Sequence, residues 1–70
     1  MSGMAMYYKL MKIYSKLWRY PSFEEAFMEA YPAEWQLLKE EDYLALDDFD
    51  IISCYKFALE WEPDEVEFMD

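Results

Sequence analysis

The sequence predicts an all-α protein, a small bundle of three to four short helices. Three observations lead there. Apolar residues recur at i, i+3, i+4 and i+7 along most of the chain. Prolines 21, 32 and 63 fall between those periodic stretches. Strand formers are scarce, with three Ile, one Val and no Thr, which leaves little to build a sheet from.

The first helix is expected over 5–19. Tyr7, Leu10, Met11, Tyr14, Leu17 and Trp18 share one face, and Lys9, Lys12, Lys16 and Arg19 form a separate basic stripe. Tyr20-Pro21 ends it, because a residue before proline is pushed away from α geometry. The second helix is expected over 22–31, opened by a capping box in which Ser22 is the N-cap and Glu25 reaches back. Phe23, Phe27, Ala30 and Tyr31 share its apolar face, with Glu25 and Glu29 on another.

Pro32 suits the first turn of a third helix, expected over 33–45. Its apolar pattern (Trp35, Leu38, Leu44, Ala45) weakens at Glu40–Asp42, so a break is possible there. Asp47 or Asp48 caps the last helix, expected over 48–61. Here two periods compete. Ile51, Tyr55, Ala58 and Cys54, Phe57, Trp61 fit a broad helical face, whereas Phe49, Ile51, Tyr55 and Phe57 alternate as in a strand. A lone strand has no pairing partner, so helix is preferred. Pro63 stops it and an acidic tail, 63–70, follows. One glycine, no repeat and no linker indicate a single domain over 1–70, with residues 1–4 and the tail outside the packed part.

Composition narrows the function. The net charge is −10, and its distribution is uneven. Residues 1–23 carry four bases and no acid, whereas residues 24–70 carry all sixteen acids against Lys39 and Lys56, a net −14. Such asymmetry indicates an interaction surface and argues against direct nucleic-acid binding, which needs a dominant basic face. The apolar content of 56%, with five Phe, three Trp and seven Tyr, gives this short chain more apolar surface than one small core hides. Self-association or a sticky face is the expected consequence. The segment "MYYKLMKIYSKLWRY" is broken by a base every three or four residues, unlike a signal peptide or a membrane span, and the cytoplasm is the expected compartment.

Catalysis finds little support. There is no histidine to serve as general base or metal ligand. Cys54 lies within an apolar pattern and reads as a small buried hydrophobe, and with no second cysteine it forms no internal disulfide. One glycine excludes a phosphate-binding loop, so neither enzyme nor cofactor is expected. The acids at "DDFD" lack the glycine and spaced glutamate of an EF-hand, and no metal site is expected. Paired carboxylates for glycoside chemistry arise easily by chance among sixteen acids.

What remains is "EEDYLALDDFD", residues 40–50, with six carboxylates among five apolar residues. It reads either as a solvated acidic face or as a surface shown to a basic partner. In the second reading, Glu40, Glu41, Asp42, Asp47, Asp48 and Asp50, continued by Glu60, Glu62, Asp64, Glu65 and Glu67, imitate a track of phosphates. Acids three or four positions apart on a helix stand about 5–6 Å from one another, coarsely like phosphates along a strand. Tyr43, Phe49 and Trp61, with Phe68, add apolar contacts that convert attraction into specificity. The partner is then a basic nucleic-acid-binding protein: a nuclease, CRISPR-type effector, restriction, repair or transcription protein. In general character the chain is similar to small acidic inhibitors encoded by phages and mobile elements, although no motif places it in a named family. The rival reading is a helical adaptor or homodimer anchored on Trp18, Trp35 or Trp61. A peripheral membrane role for the first helix is disfavoured, since the −14 remainder is repelled by an anionic surface. The simpler role for that helix is as a core element whose lysines pair with the acidic remainder.

Crowded acids repel one another, so moderate salt should raise the melting temperature by screening. A melting temperature that falls steadily with salt would show that ion pairs outweigh the repulsion.

Overall fold

The computed structural model describes residues 2–62, and the tail expected over 63–70 lies outside them. These residues form four α-helices and one 3-10 turn, with no strand among them. The all-α bundle is as expected, and the segment with two competing periods is helical throughout. The helices are α1 (Ser2–Arg19), α2 (Pro21–Ala30), α3 (Pro32–Lys39) and α4 (Asp48–Glu60), with the 3-10 turn at Tyr43–Ala45. No helix among the described residues is long and apolar enough to cross a membrane.

Two Tyr-Pro pairs make the first two corners. Tyr20 and Tyr31, each ahead of a proline, leave helical geometry at φ −125°, ψ 104° and φ −134°, ψ 65°. Each proline then opens the next helix, where its missing N–H removes nothing. This corrects the expected capping box. The N-cap of α2 is Tyr20, and Ser22 sits inside the first turn. The fixed φ of Pro21 starts the helix one residue before Ser22.

The core joins one seam from each helix. Its fully enclosed centre is Phe23 and Phe27 of α2, surrounded by Ile13, Leu17, Leu38, Leu46, Ile51, Cys54 and Ala58. Phe23 and Phe27 belong to a ladder on one side of α2, Tyr20-Phe23-Phe27-Tyr31. Phe57 of α4 and Trp61, which follows its last residue, meet that ladder. Phe57 lies 5.7 Å from Phe23, 6.0 Å from Phe27 and 5.5 Å from Tyr31 between ring centroids. Trp61 lies 5.2 Å from Phe23 and 5.6 Å from Tyr20. Tilted and edge-on pairs at this spacing contribute about 0.5–1.5 kcal/mol each beyond the area they bury.

The seam of α1 differs from the expected face. Ile13 and Leu17 are buried and Met6, Leu10 and Tyr14 pack against the core, whereas Tyr7, Met11 and Trp18 face solvent. Apolar residues occupy two adjacent rows, 6-10-13-17 and 7-11-14-18; the first packs into the core, while the second touches α3 through Tyr14 and Trp18 and leaves Tyr7 and Met11 exposed. Basic residues on α1 also have a role other than pairing with acids. Lys16 Nζ donates to the carbonyl oxygens of Ala58 (2.6 Å) and Trp61 (2.9 Å), closing the negative end of α4. It also lies 5.6 Å from the centre of the Trp61 ring, and Lys9 lies 5.3 Å from that of Tyr55.

The third helix stops six residues before its expected end at 45. Glu41 adopts φ 58°, and its N–H donates to the Leu38 carbonyl at 3.1 Å while that of Asp42 donates to Leu37 at 2.9 Å. This pair of bonds is a Schellman closure, usually made with glycine in the left-handed position. Leu46 then plugs the core, and Asp47 caps α4 by accepting the Asp50 N–H at 2.8 Å.

Glutamate in the left-handed region costs roughly 1 kcal/mol that glycine does not. Glu41→Gly should therefore raise the urea midpoint, by about 0.5–1 kcal/mol of stability, while Glu41→Ala should not. Equal midpoints for the two variants would count against strain at this position.

Candidate acidic interface

The loop leaving α3 positions the carboxylates. Because α3 closes at Glu41, residues 41–47 leave that helix and cross to the start of α4, with Leu46 turned into the core. Glu40, Glu41, Asp42, Asp47 and Asp48 are exposed and Asp50 is partly covered. Glu40 accepts from Gln36 Nε2 at 2.7 Å, and Asp47 is engaged as the cap. Among the described residues no ion pair reaches any of these six acids; Lys39 pairs with Glu24 instead, at 3.3 Å. Lys39 is also held 4.3 Å from the Trp18 ring centre and 5.5 Å from that of Trp35. The loop's charge is therefore offered outward.

Its apolar residues are offered outward too. Leu44 is 99% exposed and Phe49 75% exposed, with Tyr43 partly so. Tyr43 rests edge-on against Tyr14, 6.0 Å between centroids. Tyr14 is itself pinned, its hydroxyl donating to the Leu38 carbonyl at 2.6 Å. Burial first, then the Tyr43 hydroxyl and the charge of Glu41, push the Tyr14 phenol above its ordinary range, so it stays a donor. The exposure of Leu44 is new. The sequence pattern put Leu44 on the buried face of the third helix, but the closure at Glu41 hands that place to Leu46.

The rest of the expected track separates. Glu60 is exposed at the far end of α4, about 18 Å from Asp48 at 1.5 Å per residue, and Glu62 is exposed just beyond that end. Asp64, Glu65, Glu67 and Phe68 lie outside the described residues. Trp61 is half-buried in the aromatic ladder under Lys16. Glu40 to Asp50, with Tyr43 and Phe49, thus follow one another along a mostly exposed stretch of chain, and Glu60, Trp61 and Glu62 stand at the other end of α4.

Chemistry within the site is limited. Cys54 is buried, and desolvation, followed by the charges of Glu34 and Asp50, pushes its thiol up to about 12, so it is a thiol at neutral pH. No group of three or more His, Cys, Asp or Glu among the described residues is arranged to hold a metal ion. Compared with protein-family models, curated proteins and solved structures, the chain matches none.

Desolvation, then the charges of Asp47 and Glu34, raise the Asp50 carboxyl above its ordinary 3.8. Folded Asp50 holds its proton more tightly than the unfolded chain does. Its contribution to stability is full below pH 3.8 and is lost as pH rises through the raised value. Asp50→Asn should therefore raise the melting temperature at neutral pH, with the gain vanishing below pH 3.8. An equal gain at both pH values would contradict a charge origin.

Proposed function

We propose that this protein is a non-catalytic inhibitor that occludes the basic nucleic-acid-binding cleft of another protein. Its docking surface is the 40–50 loop with the first turn of α4. The observation that carries this reading is the display of Leu44 and Phe49 in water among six carboxylates without ion-paired bases. Single exposed apolar residues are common on protein surfaces, but Leu44 and Phe49 both protrude from one strongly acidic stretch, where apolar contacts would turn attraction into specificity. Long-range attraction brings a basic cleft to the loop, and the apolar tips hold it. The partner class is a nuclease, CRISPR-type effector, restriction, repair or transcription protein, with the cytoplasm as the place of encounter.

The tryptophan-anchored adaptor has weaker support. Trp61 belongs to the aromatic ladder, and Trp35 packs against the core with its Nε1 donating to Glu24 at 3.3 Å. Both hold this fold together, which leaves Trp18 as the exposed member of the three.

Displacement of fluorescent DNA or RNA from a panel of such basic proteins tests the reading. Displacement should weaken as salt rises, because the attraction is screened over about 8 Å at physiological ionic strength. Asp48→Lys combined with Phe49→Ser spares the cap at Asp47 and should cost at least about tenfold in the affected complex. Lysine at Glu25 and Glu29, exposed on α2, should cost much less. A partner that binds this protein and its nucleic acid together, neither affecting the other, would refute occlusion.

A further inference from the structure

The N-terminal half of the outer row of α1, Tyr7 and Met11, is exposed in the monomer, and its relief is self-complementary. Tyr7 and Met11, one turn apart and 64% and 53% exposed, form a ridge shared by two grooves. One groove runs along α1 beside Tyr8, Lys12 and Ser15. The other, about 160 Å³, lies between α1 and the 3-10 turn, bounded by Leu10, Tyr14 and Tyr43. A ridge of residues four apart, flanked by grooves, is the surface into which a second such ridge packs.

Charge favours the same arrangement. The outer groove is edged by exposed Lys12. The inner groove is approached by the acids that precede Tyr43, and Glu41 stands near enough to Tyr14 for its charge to bear on the phenol. One copy therefore offers a base on one side of the ridge and acids on the other.

We propose that two copies of this chain form a dimer through α1, antiparallel about a two-fold axis, each Tyr7–Met11 ridge seated in the other's groove between α1 and the 3-10 turn. The two-fold places Lys12 of each copy beside Glu41 of the other. An isologous contact of this kind closes on itself and stops at two. Tyr7, Tyr8, Met11, Trp18 and Tyr43 together offer roughly 500 Å² per copy, at the small end of specific interfaces, so the dimer is a weak one. The contact takes Glu41 and Tyr43 from the 40–50 stretch and leaves Asp48 and Phe49 outside it, so dimer and inhibitory complex compete for one edge of that stretch.

Sedimentation of the whole chain from about 1 to 200 μM decides the matter. The expected result is a concentration-dependent rise from 8.6 kDa to twice that mass. Met11→Glu should hold the chain at the monomer mass, and Met28→Glu, an equally apolar change on exposed α2 surface, should leave the dimer intact. Lys12→Glu should weaken association by about tenfold, and adding Glu41→Lys should restore it, a rescue that a merely destabilised fold does not produce. If Met11→Glu lowers helicity, the Lys12 and Glu41 swap carries the decision alone. A monomer at every concentration, a mass that grows past two, or a swap without rescue would each overturn the proposal.

Discussion

Everything else in this protein hangs on the packing of Phe57 of α4 and Trp61 just beyond it into the ladder Tyr20-Phe23-Phe27-Tyr31. A chain of 70 residues has few ways to make a stable core without a disulfide or metal. Here large rings supply the missing apolar area, and they do so between two helices far apart in sequence. The ladder also fixes the corners, because its first and last members are the two tyrosines that precede Pro21 and Pro32. One row of side chains thus packs the centre and turns the chain. With α2 and α4 locked, α1 lies across both, and Lys16 reaches the open carbonyls at the end of α4.

This arrangement explains how a strongly acidic chain stays folded. Three of the six bases are engaged within the fold by contacts other than acid clusters: Lys16 with carbonyls and Trp61, Lys9 with Tyr55, Lys39 with Glu24 and two tryptophans. Cation–π contact and dipole capping hold these lysines without bringing acids inward. The carboxylates of residues 40–50 are consequently left outside, where water solvates them and a basic surface can meet them. Capping by Asp47 and the dipole of α4 offset part of the repulsion at Asp48 and Asp50. Asp47, Asp48 and Asp50 are tolerated because the fold places them at a helix start, whereas Glu40, Glu41 and Asp42 follow the C-terminal end of α3 and rely on water.

Much of this was legible in the sequence. A bundle of three to four helices, the two proline corners, a cap at Asp47 or Asp48, the burial of Cys54 and the helical nature of 48–60 all follow from periodicity and local chemistry. Three features did not follow, each for a physical reason. Both rows of α1 are apolar, so only the tertiary neighbours choose between Leu10-Ile13-Leu17 and Tyr7-Met11-Trp18. Ser22 has a good capping pattern, but Pro21 begins the helix first. The end of α3 carries no glycine, because Glu41 adopts the left-handed turn itself. That last departure matters most for the candidate site. It exchanges Leu44 for Leu46 and turns an expected helical face into an exposed loop. The acidity of the site was readable, while its apolar tips were not.

The central claim is that residues 43–50 form a surface in which exposed apolar side chains and carboxylates act together on a basic partner. Amide NMR of the labelled protein during titration with an arginine-rich peptide containing tyrosine tests it most directly. The account predicts that the largest shifts fall on Leu44, Asp48 and Phe49, with Glu25, Glu29 and Glu60 moving little. It also predicts that replacing the peptide's tyrosine by serine weakens the response at Leu44 and Phe49 first. Shifts spread evenly over all exposed acids, unchanged by the loss of tyrosine, would contradict it and leave the loop as no more than a solvated face.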